Sequence, residues 1–310
     1  MDKLLFGIIK AVRPRQWIKN FALFAGLIFS GHLDNPSFVF ISIQAFIIFS
    51  IASSSVYLLN DIFDIERDRL HPFKKLRPIA AGIIPISLAL ALSLVLMIVS
   101  LIFAYKINPA FFLSVLGYLF LQVLYSAYLK QVILLDVMAI AAGFVLRIYA
   151  GVWALDAHLN VWFLLTVTSF ALFIAIGKRR SELTLLHGQA SRHRETLLHY
   201  PESLLDILTA MFANSTWLAY AIFTFLQPPI FARPYIFTLL NKAQLSIVEA
   251  KFLMATIPIV IYGVMRYLYI IYEKKEGESP ERVLLTDRPL LITVVLWLTS
   301  VIGIIYYLGA

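Results

Sequence analysis

Cysteine is absent from all 310 residues, which excludes disulfide staples, thiolate metal sites and cysteine nucleophiles. Charge is scarce as well: 14% of the residues are Asp, Glu, Lys or Arg, against about 25% in ordinary soluble domains. The six histidines are scattered and show no metal-ligand spacing, so a histidine-built metal centre is excluded. No low-complexity tract and no convincing internal repeat is found, and the second absence weighs against the repeat architecture of many secondary transporters. A cleaved secretory leader is not expected, because the apolar stretch from Leu4 to Ile9 is short and no small-residue cleavage site follows it.

What the chain has in excess is apolar residues, 61% of the total, where a water-soluble domain holds roughly 45–50%. Runs of about 20 apolar residues, long enough to cross a bilayer, recur with short polar breaks. They predict an all-α, polytopic membrane helix bundle of about nine transmembrane helices, centred near Phe24, Ile47, Leu94, Tyr118, Ala142, Thr168, Thr216, Val260 and Val295. Residues 1–310 read as a single domain. Residues 1–19 read as an interfacial N-terminal segment, because Leu4, Leu5, Ile8, Ile9 and Val12 share a helical face with Lys3, Lys10 and Arg13 beside it.

Sorting the polar breaks by the positive-inside rule orients the bundle. With the N-terminus in the cytoplasm, the inner breaks collect Lys3, Lys10, Arg13, Arg15, Lys19, Arg67, Arg69, Lys74, Lys75, Arg77, Lys130, Lys178, Arg179, Arg180 and further cations near the C-terminus. The outer breaks hold only Lys106, Arg233, Lys242 and Lys251. The expected location is the inner (cell) membrane, and the net charge of +8 follows from topology without a nucleic-acid partner.

The most informative stretch is Asn60-Asp61-Ile62-Phe63-Asp64-Ile65-Glu66-Arg67-Asp68, at the predicted cytoplasmic end of the second span. At 100° per residue, Asn60, Asp61, Asp64 and Asp68 fall within one arc of roughly 100°, with Glu66 facing away. Carboxylates so placed repel one another unless a cation lies between them, and hard oxygen ligands favour Mg²⁺, with Mn²⁺ an admissible substitute. A cationic loop follows, from His71 through Lys74, Lys75 and Arg77-Pro78 to Gly82. A solvated helix end is the plainer reading of the acids; their one-sided spacing and the adjoining cations argue against it.

These residues resemble the UbiA superfamily of intramembrane prenyltransferases, whose first signature is N-D-x-x-D-x-x-x-D with a downstream R-P. In typical members a second acidic motif, D-x-x-x-D, follows span six. Here that place reads Gly177-Lys178-Arg179-Arg180-Ser181-Glu182-Leu183, so Glu182 is the one acid remaining and three cations stand together. The change removes metal ligands and adds partners for phosphate oxygens.

With Arg13-Pro14-Arg15-Gln16-Trp17-Ile18-Lys19-Asn20, Tyr125 to Lys130, Asp136-Val137, Gly143 to Arg147 and Leu284 to Leu290, the pattern resembles the decaprenyl-phosphate phosphoribosyltransferase branch. That resemblance implies Mg-assisted transfer of the 5-phosphoribosyl group of phosphoribosyl pyrophosphate to a polyprenyl phosphate, with diphosphate released. Asn60, Asp61, Asp64 and Asp68 are then the catalytic candidates, the three aspartates as metal ligands. Lys19, His71, Lys74, Arg77, Tyr125, Lys130, Asp136, Arg147, Lys178, Arg179, Arg180 and Glu182 are the substrate-binding candidates. The alternative is a UbiA-type prenyltransferase joining a prenyl diphosphate to an aromatic acceptor such as 4-hydroxybenzoate. A transporter is the competing class.

Asp136 and Arg147 lie eleven positions apart in span five, on one helix face, and ionisable groups inside a span normally face a cavity or a partner. A buried ion pair or plain helix packing is the competing reading for both. The segment from Ser181 to Pro201, the longest polar cytoplasmic break, is a candidate lid that excludes water. The sequence carries no signal for the oligomeric state.

Overall fold

The computed structural model describes residues 3–70, 74–185, 200–227, 251–274 and 280–308, and these are helices and short connections with no strand among them. Eight helical stretches among the described residues are long and apolar enough to cross a membrane: Pro36–Phe63, Ile86–Ile107, Pro109–Ala127, Leu135–Ala154, Val161–Thr184, Glu202–Leu226, Phe252–Lys274 and Arg288–Leu308. They coincide with the expected spans two to nine.

The first expected span, around Phe24, takes another form. It is a 3₁₀ stretch, Pro14–Leu23, followed by a six-residue α-helix, Phe24–Phe29. Pro14 at the start and the polar run Arg15, Gln16, Lys19 and Asn20 deny it the continuous apolar helix of its successors. At about 2.0 Å per 3₁₀ residue and 1.5 Å per α residue the segment still extends roughly 29 Å, close to the ~30 Å of a hydrocarbon core.

The chain packs as two compact units, Met1–His158 with Gly188–Tyr200 and Leu159–His187 with Pro201–Ala310. In the first unit the helices are α1 (Lys3–Ala11), α2 (Phe24–Phe29), α3 (Pro36–Phe63), α4 (Ile65–Leu70), α5 (Ile86–Ile107), α6 (Pro109–Ala127) and α7 (Leu135–Ala154). Helix α3 packs on α5 and α6, α6 on α7, and the 3₁₀ stretch on α3 and α7. Ala45, Phe49, Ala52 and Val56 recur at helical spacing on α3 and meet Phe111, Val115, Tyr118 and Leu119 of α6.

In lipid an apolar side chain gains little by turning inward, so close packing of small residues selects the inward face. Large residues such as Ile98, Ile102 and Phe103 of α5 stay exposed. The closest approach is at Gly151 of α7, where an added Cβ would stand 1.9 Å from the Leu23 carbonyl oxygen; any larger residue would push the 3₁₀ stretch away.

Helix starts are set by polar caps followed by proline. The Asn35 side chain accepts from the Ser37 amide at 3.0 Å, and Asn108 accepts from the Phe111 amide at 2.7 Å. Asn108 also donates through Nδ2 to the Trp153 carbonyl at 2.7 Å, so one side chain starts α6 and ends α7.

The second unit contains α8 (Val161–Leu185), α9 (Glu202–Leu226), α10 (Ile257–Tyr269), α11 (Pro280–Thr286) and α12 (Arg288–Ile302). Helix α9 packs on α8 and α10, and α10 on α12, around a core that includes Phe173, Ala213, Val264, Tyr267, Ile271 and Leu290. Asp287 is the cap of α12 and is buried. It accepts from Arg266 Nε at 3.0 Å and Nη2 at 2.8 Å, from Lys274 Nζ at 2.7 Å and from the Leu290 amide at 3.0 Å. The Arg266 hydrogen bonds first, then those of Lys274 and Leu290, hold its carboxyl well below the usual carboxylate range against the opposing cost of burial.

Candidate active site

The acidic motif sits where α3 ends. Helix α3 closes at Phe63, Asp64 occupies the cap position with φ −97° and ψ 6°, and α4 restarts at Ile65. Two amide bonds keep the helical repeat across the break: Asp64 N to Asn60 O at 3.0 Å and Asp68 N to Asp64 O at 2.8 Å. Asp61 and Asp68 are buried at 2% and 3% exposure, a depth at which a carboxylate without partners would be very costly.

Each acid is met by a cation. Arg77 Nη1 donates to Asp61 Oδ1 at 3.0 Å and to Asp68 Oδ2 at 2.6 Å, so one nitrogen bridges two carboxylates. Arg13 Nη2 donates to the same Asp61 Oδ1, and its guanidinium lies over the Tyr57 ring at 5.2 Å. Lys130 Nζ donates to Asp64 Oδ1 at 2.7 Å. Asn60 is not oriented toward these cations; its Oδ1 accepts from Ser126 Oγ at 3.1 Å.

Local structure explains how three remote cations arrive. Arg13 follows α1 in the left-handed region, φ 53° and ψ 60°, a conformation rare for a non-glycine residue and of the kind found at functional positions. Arg77 is carried by a tight loop in which the Ile83 and Ile84 amides donate back to the Pro78 carbonyl and Gly82 takes φ +73°. Lys130 is buried in a 3₁₀ turn between α6 and α7.

A cavity of about 340 Å³ opens beside the Asp64–Lys130 pair and is lined by Asp64, Glu66, Arg67, Ser126, Lys130 and Gln131, among others. Glu66, expected to face away from the acidic arc, is exposed and borders this cavity.

The expected three-carboxylate convergence also takes a different shape. Among the described residues no group of three or more acids or histidines is close enough to hold one metal ion. Asp61 and Asp68 share one cation, and Asp64 pairs with Lys130. The donor set still suits Mg²⁺, which usually takes one or two carboxylates and completes its shell with water and phosphate oxygens. The point held by Arg77 Nη1 is one from which a cation reaches both buried acids.

On α7, Asp136 and Arg147 are both buried but do not pair. Asp136 accepts from Tyr200 Oη at 2.7 Å, and the Leu134 amide, on a backbone with φ +67°, donates to the same hydroxyl at 2.6 Å. Arg147 donates to Asn20 Oδ1 at 2.9 Å, the Gly143 carbonyl at 2.8 Å and Tyr118 Oη at 2.9 Å. Eleven residues at 1.5 Å each separate the two by roughly 16 Å along the helix, which rules out the ion pair.

The basic cluster on α8 belongs to the second unit. Arg179, 1% exposed, donates to Glu182 at 2.5 Å, and Lys178 lies 3.9 Å from the same carboxylate. Arg180 donates to Asp206 at 2.6 Å and lies 3.6 Å from Glu202, both on α9.

Lys19 in the 3₁₀ stretch and Tyr125 on α6 are half-buried, and Lys74 is exposed in the turn before Arg77. His71 and residues 186–199 of the expected lid lie outside the described residues. Sequence reasoning did not select Arg13, Tyr57, Ser126 or Tyr200. Arg13 and Ser126 carried a signal, as members of the quoted segments Arg13 to Asn20 and Tyr125 to Lys130.

Comparison with known proteins identifies the family and the fold. Residues 20–257 match the UbiA prenyltransferase family. The chain is 33% identical to the decaprenyl-phosphate phosphoribosyltransferase of Mycolicibacterium smegmatis, over 98% of this chain and 94% of that protein. It is 31% identical to the enzyme of the same name from Corynebacterium glutamicum, over 97% and 87%. A solved UbiA homolog from Archaeoglobus fulgidus bound to GPP and Mg²⁺ superposes with a TM-score of 0.67 at 20% identity, covering 96% of this chain and 99% of the other. A match spanning most of the chain, whole-length relatives and a shared helical fold lead to one conclusion: the chain belongs to the UbiA prenyltransferase family.

Proposed function

We propose that this membrane enzyme transfers the 5-phosphoribosyl group of phosphoribosyl pyrophosphate to a polyprenyl phosphate, releasing diphosphate. The observation that carries the reading is the interleaving of buried carboxylates with Arg13, Arg77 and Lys130 at the end of α3. Carboxylates alone would suit a metal and cations alone a phosphate; a metal-chelated diphosphate needs both. The whole-length similarity to decaprenyl-phosphate phosphoribosyltransferases supports the sugar diphosphate as donor over a prenyl diphosphate.

Asp61 and Asp68 would hold Mg²⁺, or Mn²⁺ in its place, with Asp64 completing the acidic wall. The ion would supply charge neutralisation of the departing diphosphate. Arg13, Arg77 and Lys130 bind the diphosphate oxygens and fix the C1–O bond for breaking. A phosphate monoester is already an anionic nucleophile, so the lipid phosphate attacks C1 from the opposite face without a strong general base. The C1–O bond to diphosphate breaks as the new bond to the lipid phosphate oxygen forms, with inversion at C1.

Asn60, through its bond to Ser126, acts as a positioning residue tying α6 to the acidic helix end. Arg147, buried with neutral partners, and Lys19, Tyr125 and Lys74 nearer the surface are assigned contacts to anionic or hydroxyl groups of the substrates. The polyprenyl tail stays in the bilayer, where its solvation costs least. The catalytic end faces the cytoplasm of the inner membrane, as the distribution of Lys and Arg indicates.

The purified protein, incubated with labelled phosphoribosyl pyrophosphate and polyprenyl phosphate in detergent, should form a labelled lipid. The pair prenyl diphosphate and 4-hydroxybenzoate should not react. Product from the second pair alone would overturn the donor assignment, and turnover of neither would remove the enzyme reading.

A further inference from the structure

We propose that Tyr200 and Asp136 are positioning residues, which lock the backbone joint between α6 and α7 and so hold the Lys130 ammonium against Asp64. The inference rests on the reading of Lys130 as a diphosphate contact and adds what keeps that lysine in place.

The chain turns back over residues 128–134, between the end of α6 and the start of α7, and Lys130 is buried within that turn. On the α6 side, short-range amide bonds stitch it: Gln131 N to Tyr128 O at 3.0 Å and Val132 N to Leu129 O at 3.1 Å. On the α7 side the path is strained. Val132 is extended, Leu134 takes φ 67° and ψ −39°, and Leu134, at the cap position of α7, makes no side-chain cap. A leucine holds positive φ only where its surroundings over-determine it.

Tyr200 supplies what the local sequence lacks, from 64 positions beyond Asp136. Its phenol oxygen accepts from the Leu134 amide at 2.6 Å and donates to Asp136 Oδ1 at 2.7 Å. One oxygen thereby ties the strained residue to the first turn of α7. Asp136 and Tyr200 are 1% and 3% exposed, and a hydrogen bond to a carboxylate shielded from water is among the stronger kinds.

Direct contact of Asp136 with a substrate is the competing role. A carboxylate repels phosphoryl oxygens, and Asp136 Oδ1 already accepts from the phenol. Lys130, in the same turn as Leu134, donates from Nζ to Asp64 Oδ1 at 2.7 Å. An ammonium on a flexible four-carbon stem keeps that place only while its Cα is fixed, and release of the Leu134 joint moves the Cα.

The test is a double-mutant cycle on the purified full chain in detergent, read as transfer from labelled phosphoribosyl pyrophosphate to polyprenyl phosphate. Tyr200→Phe removes only the phenol oxygen and should lower turnover about 10- to 100-fold, the scale of a misplaced reacting group. In a Lys130→Gln background the same change should cost less than about twofold. Asp136→Ala should repeat the loss, and Asp136→Asn, which keeps an acceptor for the phenol, should recover part of it. A readout independent of turnover is the acylation rate of Lys130, followed by peptide mass spectrometry against the exposed Lys74 and Lys75. Tyr200→Phe should raise it severalfold relative to those two.

An equal loss of turnover in both backgrounds, as general destabilisation would give, or an unchanged Lys130 acylation rate in the Tyr200→Phe protein, overturns the inference. If Tyr200→Phe does not fold, as judged by thermal unfolding, Asp136→Ala is read in its place. If Lys130→Gln leaves no measurable turnover, the acylation rate decides. A parent chain without phosphoribosyl transfer removes the proposed function, while faster acylation of Lys130 in the variant still establishes the positioning.

Discussion

Two groups of three cations in this chain look alike in composition and differ in what they hold. Arg13, Arg77 and Lys130 come from three separate segments and converge on acids 9 to 66 positions away. Lys178, Arg179 and Arg180 are consecutive on α8; the first two meet Glu182 within the same helix, and the third meets Asp206 and Glu202 of α9. A run of basic residues in sequence does not by itself converge on one partner. Cations on consecutive helix positions diverge by 100° each, and each takes the acid nearest to it. Convergence on a substrate requires loops that bring charges from different directions.

The largest expected effect lies in the first group. Asp64→Asn keeps the shape of the cap but removes the charge facing Lys130 and the cavity, and turnover should fall about 10²–10³-fold, the usual scale for one preorganised electrostatic contact. Thermal unfolding should move little, because Asp64 is only partly buried. Near-normal turnover in this variant would take the acidic wall out of the chemistry.

The second group should respond in stability before activity. Arg179 is buried against Glu182, and Arg179→Ala removes its 2.5 Å contact with that carboxylate. Breaking a buried pair costs up to about 3–5 kcal/mol, and the partial exposure of Glu182 reduces this, so a fall of several degrees in Tm is expected. Arg180→Ala should cost less than about 1 kcal/mol, because Asp206 and Glu202 are 41% and 42% exposed. Arg180→Ala with an unchanged Tm and a strongly raised KM for phosphoribosyl pyrophosphate would break the comparison and make α8 a ligand-binding element.

The bundle was legible in the sequence because eight apolar runs are each long enough to force a spanning helix, and the caps Asn35-Pro36 and Asn108-Pro109 mark two of their starts. The 3₁₀ form of Pro14–Leu23 was not legible, because hydropathy carries no information on 3₁₀ against α geometry. Within the site, the acids were visible from their spacing alone. Their partners were less so: Arg77 and Lys130 stood out as charges near the predicted membrane face, but Arg13 reaches Asp61 from 48 positions away through a left-handed backbone that no propensity favours. Asp136 stood out because charge in a span suggests function, and Tyr200, at the far end of the longest polar break, supplies a partner that no periodicity could reveal.

The smallest expected effect gives the sharpest contrast, since Asp287 matches Asp61 in form. Both are buried, and each is held by two cations, Arg266 and Lys274 in the case of Asp287; if pairing alone marked an active carboxylate, the two would be equivalent. Asp287→Asn retains a good helix cap and removes only the charge, so turnover should stay near the parent value while Tm falls by about 2–4 °C at neutral pH. Because the folded carboxyl is held below its ordinary value of 3.8, its ionised form stabilises the fold above that value. The contribution is lost as pH falls through the folded pKa, where the group is protonated in both states. The Tm difference between parent and variant should therefore be flat from pH 7 to about 5 and shrink below about 4. A difference that persists unchanged in acid would assign the effect to shape, and a large loss of turnover at neutral pH would place Asp287 among the functional carboxylates.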